Sequence, residues 1–131
     1  MTLEHIAIIM SDPIAAAAWY VEQLGFTIVR ASHEPPYAHF LKAPGSDALI
    51  EIFNNPEAPI PDYPNMHPSV LHIAFRADDV AAERERLIAA GATPIGEIVV
   101  TDSGDQFAMV RDPWGVPVQL LKRAERLARQ G

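Results

Sequence analysis

Four side chains in this sequence have the types and the spacing to hold a metal ion: His5, Glu51, His72 and Gln119. Each lies in an apolar run. His5 precedes Ile6-Ala7-Ile8-Ile9, Glu51 stands between Ile50 and Ile52, His72 between Leu71 and Ile73, and Gln119 between Val118 and Leu120. A carboxylate in such a run is costly to bury unless it is paired or bound to a cation, and no Lys or Arg adjoins Glu51 in sequence. Two imidazoles, one carboxylate and an amide oxygen make a mixed N,O donor set. It suits a single divalent ion (Zn, Ni, Co, Mn or Fe) and leaves positions for water or substrate. The chain has no cysteine, which excludes thiolate ligands, disulfides and a cysteine nucleophile together.

A lone histidine on an apolar strand is more often a core residue donating to a backbone carbonyl. Here the donors recur. His5-Ile6-Ala7 returns as His72-Ile73-Ala74, an offset of 67, while Glu51 and Gln119 are offset by 68 and Gly25 and Gly91 by 66. Ala43-Pro44-Gly45 sits in the first half where Asp112-Pro113-Trp114-Gly115 sits in the second. Internal duplication explains these matches, and packing alone does not.

The elements that position the four donors follow from the same repeat. Residues 3–10 read as a buried strand, followed by a helix with Asp12 as N-cap, Pro13 in its first turn, Ala17, Tyr20, Val21 and Leu24 on one stripe, and Gly25 at its end. Strands are expected at 26–32, 37–42 and 48–53. The second half repeats this order, with a strand at 70–75, a helix at 80–90 capped by Asp79 and ended by Gly91, and strands at 93–100, 106–111 and 116–121. The fold class is α+β, two βαβββ modules whose curved mixed sheets pair around a metal-binding cavity. Residues 1–54 form the first module and 69–121 the second. Between them, 55–68 holds Pro56, Pro59, Pro61, Pro64 and Pro68 and reads as a stiff connector rather than a strand or helix. Residues 122–131, with Lys122, Arg123, Arg126 and Arg129, form a basic tail read as a short surface helix or frayed end.

The 131 residues suffice for one domain with a sizeable core. A formal charge of −7 argues against nucleic acid, whose phosphates are held by clustered Lys and Arg. No apolar stretch approaches the ~18 residues that cross a bilayer, and no basic segment leads into an apolar one at the N-terminus, so a cytoplasmic protein free of membranes is expected.

Leu3-Glu4-His5-Ile6-Ala7, the stretch from Trp19 to Phe26, Ile50-Glu51-Ile52-Phe53, Leu71-His72-Ile73-Ala74-Phe75 and Asp112-Pro113-Trp114-Gly115 followed by Gln119 together resemble the vicinal oxygen chelate superfamily. That superfamily includes glyoxalase I, methylmalonyl-CoA epimerase, extradiol dioxygenases, and fosfomycin- and bleomycin-resistance proteins. The resemblance implies metal ligands at His5, Glu51, His72 and position 119, and a cation that chelates two vicinal oxygens of a small-molecule substrate and stabilises an enolate as a Lewis acid. It further implies a homodimer. A lyase or isomerase of the glyoxalase-like type is expected, with Glu51, the one acid among the four donors, either a permanent ligand or a displaceable one acting as base.

Gln119 departs from the glutamate of glyoxalase I, since an amide can ligate but cannot accept a proton. Ile9 replaces a glutathione-binding arginine of bacterial relatives, whereas Asn55 matches a substrate-binding asparagine. Two alternatives stand beside this reading: a metal-free drug-sequestering protein like the bleomycin-resistance proteins, or a small dioxygenase-like Fe(II) enzyme. Phe107 and Met109 alternate with Arg111 on one face of the seventh strand, so Phe107 is a candidate substrate contact, and Arg111 is either a substrate contact or an ion-pair partner. His39 is a weaker candidate for the pocket wall. His33 and His67 sit beside prolines in loops, and Trp19 and Tyr20 suit helix-to-sheet packing.

Overall fold

In the computed structural model, which describes residues 1–127, both halves follow the order strand, helix, three strands. The first contains β1 (His5–Ile9), α1 (Pro13–Leu24), β2 (Thr27–Ala31), β3 (His39–Lys42) and β4 (Leu49–Phe53). The second contains β5 (Ile73–Arg76), α2 (Val80–Ala89), β6 (Thr93–Val100), β7 (Gln106–Arg111) and β8 (Pro117–Lys122). The sheets run β1-β4-β3-β2 and β5-β8-β7-β6. In each, the first and last strands of the module pair in parallel and the remaining neighbours are antiparallel. The chain divides into two compact units, Met1–Pro61 and the residues from Asp62 onward. Among the described residues no helix is long and apolar enough to cross a membrane.

Capping accounts for the helix positions. Asp12 Oδ1 accepts from Ala15 N at 3.1 Å and Asp79 Oδ1 from Ala82 N at 3.0 Å, each satisfying a donor that a helix start leaves open. Gly25 ends α1 in the left-handed region at φ 74°. The second helix stops one residue earlier than its sequence suggests, with Ala90 as cap and Gly91 at φ 106° beyond it.

One face of each sheet carries its core. Ile8, Leu41 and Ile52 are buried with Ala16, Ala17 and Tyr20 of α1, and Tyr20 lies against Phe26 with ring centroids 5.7 Å apart. In the second unit Ala108, Val110, Val118 and Leu120 are buried with Val80 and Leu87 of α2. Each of the buried Val, Leu and Ile side chains contributes about 1.5–3 kcal/mol.

The second unit opens with a 3₁₀ turn at Tyr63–Asn65, with Pro64 inside it. Among the described residues Arg111 forms no ion pair. Its guanidinium donates to the carbonyls of Tyr63 at 2.8 Å, Met66 at 2.7 Å and Gly115 at 3.2 Å, fastening the turn to the end of β7. Asp112, almost fully buried, closes the β7–β8 corner by accepting from Trp114 N and Val116 N, both at 2.9 Å. Gly115 sits there at φ 94°, and a Cβ on it would lie 2.6–2.7 Å from Pro64.

Strand β5 begins at Ile73, later than its apolar run suggests, because residues 67–70 form a turn instead. Val70 N donates to His67 O at 3.0 Å and Ser69 N to His67 Nδ1 at 3.1 Å. The basic segment is described only in its first part. Residues 123–127 are bends and coil with no helix, Lys122 belongs to β8, and Arg129 lies outside the described residues. Asp105 anchors the start of the segment, accepting from Ala124 N at 2.8 Å and Arg123 Nη1 at 3.0 Å. These two bonds, the backbone one first, hold the Asp105 carboxyl below its ordinary value.

Candidate metal centre

In the first unit, β1 and β4 are in register with Ala7 opposite Glu51 and His5 opposite Leu49. Strand alternation therefore puts His5, Ala7 and Glu51 on one face, away from the buried Ile8 and Ile52. Phe40 of β3 stands opposite Glu51 on that same face, and its ring meets the His5 ring edge-on with centroids 5.2 Å apart. His5 Nδ1 lies 2.9 Å from Glu4 Oε1. A carboxylate can only accept, so Nδ1 carries the proton and the Nε2 lone pair is left free. That atom faces Glu51 Oε1 at 3.7 Å.

The second unit repeats the arrangement. Ala74 stands opposite Gln119 in the parallel β5–β8 pair, and Met109 of β7 lies on the other side of Gln119. His72 immediately precedes β5, two residues before Ala74, and so belongs to the Gln119 face. Its Nδ1 lies 3.1 Å from the Pro68 carbonyl oxygen, which fixes the same tautomer as in His5 and again frees Nε2.

The structure thus brings together His5 with Glu51, and places His72 and Gln119 on one face of the other sheet. Among the described residues no group of three or more His, Cys, Asp or Glu side chains stands at metal-holding distances. The first pair nevertheless fits a cation. Two bonds of about 2.0–2.1 Å from one ion to an imidazole nitrogen and a carboxylate oxygen leave those atoms slightly closer than the observed 3.7 Å, a difference that a small side-chain rotation closes. Among the described residues no Lys or Arg forms an ion pair with Glu51, whose side chain is only 18% exposed.

The remaining candidates are placed as follows. Asn55 Oδ1 accepts from Glu57 N at 3.0 Å in a turn directly after β4. Phe107, opposite Leu121, shares the Gln119 face, and the Arg123 guanidinium covers its ring at 5.2 Å. His39 is buried on the helix-covered face with Leu41, its Nδ1 donating to Tyr37 O at 2.7 Å, so it does not share the Glu51 face. Two residues around His5 escaped sequence reasoning. Glu4 orients the ring, and Arg30, opposite Phe40 in β2, lines a groove of about 320 Å³ with Glu4, Val29, Phe40 and Leu49. Glu4 adjoins His5 in sequence, which is the one signal that could have revealed it. Arg30 is joined to the site only through pairing of β2 with β3.

The sequence and fold have known counterparts. The chain is 32% identical to the ethylmalonyl-CoA/methylmalonyl-CoA epimerase of Cereibacter sphaeroides over 72% of this chain and 74% of that protein. It is 28% identical to the lactoylglutathione lyase of Salmonella typhimurium over 93% of each. The crystal structure of SMU.1112c superposes with a TM-score of 0.71 at 33% identity, covering 93% of this chain and 98% of that one. Residues 2–120 match the family model described as glyoxalase/bleomycin resistance protein/dioxygenase superfamily, and the chain is a member of that superfamily.

Proposed function

We propose that this protein is a metal-dependent lyase or isomerase of the glyoxalase-like type, working as a homodimer on a small molecule that carries two vicinal oxygens. One observation carries the reading. In each unit a histidine whose Nδ1 is already engaged leaves Nε2 free, on the same sheet face as an oxygen donor set opposite an alanine. The epimerase and lyase names of the relatives agree with it.

His5, Glu51, His72 and Gln119 would hold one divalent ion, which when bound supplies Lewis acidity toward negative charge developing on the substrate oxygens. Glu4 and the Pro68 carbonyl fix the ring tautomers, and Phe40 restrains the His5 ring. Glu51 is the only carboxylate among the four donors. It therefore takes the proton from carbon α to a carbonyl, since Gln119 has no basic oxygen to receive it. Asn55 and Phe107 contact the substrate at the margins of the two ligand-bearing faces.

Elemental analysis of protein purified without chelator, together with assays on methylglyoxal hemithioacetal and a methylmalonyl thioester, tests this. Bound divalent metal, with turnover lost on chelation and restored by metal, is the expected result. Absence of metal after purification and after titration would overturn it in favour of a metal-free binder.

A further inference from the structure

Beyond the Gln119 rung, the same sheet face leads into a cluster of cations. Arg76 ends β5 two residues past Ala74, opposite Leu121, which itself lies two residues past Gln119. Two residues of strand amount to about 7 Å. Arg76 joins Lys122, Arg123 and Arg126 around a groove of about 370 Å³ that Leu121 and Asp78 also line. Two of the cations are committed. Arg123 is paired with Asp105 at 3.0 Å, and Lys122 Nζ donates to the Asp78 carbonyl at 3.0 Å. Arg76 and Arg126 are exposed and have no hydrogen bond or ion pair among the described residues.

Two unengaged guanidinium groups and an ammonium, set against the single carboxylate of Asp78, make this groove positive on a chain whose formal charge is −7. Guanidinium forks match the oxygens of phosphate better than any other side chain does. A long polyanion such as nucleic acid, or an anionic membrane, would also meet the acidic remainder of the surface. A small ligand would not.

We propose that this groove receives the phosphate groups of a phosphorylated small-molecule substrate, whose reacting oxygens lie toward the Gln119 end of the same face. The placement of those reacting oxygens rests on the function proposed above; the phosphate site does not. The test is calorimetric titration of the chelator-treated full chain, at low salt, with inorganic pyrophosphate and with adenosine 3′,5′-bisphosphate. Saturable binding is expected, weakened by added salt and about tenfold by Arg76→Ala or Arg126→Ala, each with its melting temperature unchanged, but unaltered by Arg30→Ala. Tighter binding of the nucleotide assigns a nucleotide-bearing tail; equal binding assigns a simple phosphate ester or diphosphate. Failure of both probes to saturate, or unchanged affinity in both arginine variants, overturns the proposal. Because metal is absent throughout, that failure would leave the metal-dependent reading standing, and loss of the metal reading would leave this binding intact.

Discussion

His5 Nε2 lies 3.7 Å from Glu51 Oε1, and with the ring proton held on Nδ1 by Glu4 both of these facing atoms are hydrogen-bond acceptors. A lone pair aimed at a carboxylate is unfavourable unless positive charge stands between them. A divalent ion held between the two atoms would supply it. The pair is therefore prepared for a cation by its neighbours as much as by itself.

In the proposed metal centre Glu4 would act on the ion through His5, so Glu4→Gln should weaken metal binding by about 10–100-fold without changing the melting temperature. Competition titration against a chromogenic chelator reads this directly. An unchanged metal affinity would show that the tautomer of His5 is set by something else.

Replacing Glu51 by Gln removes the only carboxylate of the donor set while keeping its size. The variant should fold, with an unchanged circular dichroism spectrum, bind metal more weakly and lose turnover. Retention of both metal and full activity would end its assignment as base.

Gly115→Ala combines a left-handed backbone at φ 94° with a Cβ 2.6–2.7 Å from Pro64. Strain and overpacking together should cost about 3 kcal/mol. Gly96→Ala, at φ 60° with open space around it, is the control and should cost only about 1 kcal/mol. Urea denaturation compares the two.

Arg111→Ala strips donors from the Tyr63, Met66 and Gly115 carbonyls. A destabilisation of about 2–3 kcal/mol is expected, together with faster limited proteolysis within residues 62–68. Cleavage elsewhere first would mean that the turn is held by its prolines rather than by the guanidinium.

Burial, and after it the nearby Asp112 carboxylate, raises the Tyr63 phenol above its ordinary 10.0. The folded chain favours the neutral phenol, so its contribution is complete below the unfolded value and is lost as pH rises through the higher folded one. Stability of the native chain should fall above pH ~10, and Tyr63→Phe should flatten that alkaline decline in pH-dependent urea midpoints.

The repeat was legible because it rests on local chemistry. Asp12 and Asp79 cap, Gly25 ends α1 and Gly91 follows α2, and the His-Ile-Ala triplets recur near the start of the first strand in each half. The approximate register was legible for the same reason, since the 46 residues from His5 to Glu51 and the 47 from His72 to Gln119 differ by only one. What escaped was set by long-range geometry. Nothing in the run Val70–Phe75 shows that its first residues belong to a turn, and the alternation of β7 cannot reveal that Arg111 reaches back to the carbonyl of Tyr63. His39 was ambiguous because a strand pattern gives two faces without saying which one the helix covers.

Each sheet keeps its packing on the side of its helix and its polar donors on the other. Substitutions among Ala16, Ala17 and Tyr20, or between Val80 and Leu87, therefore change how firmly a module folds while leaving the donor face untouched. Changes at Phe40, Met109 or Phe107 alter the donor-bearing face at little cost to the core. Durability and chemistry are thus inherited on separate surfaces, which gives such a scaffold freedom to acquire new reactions without first becoming fragile.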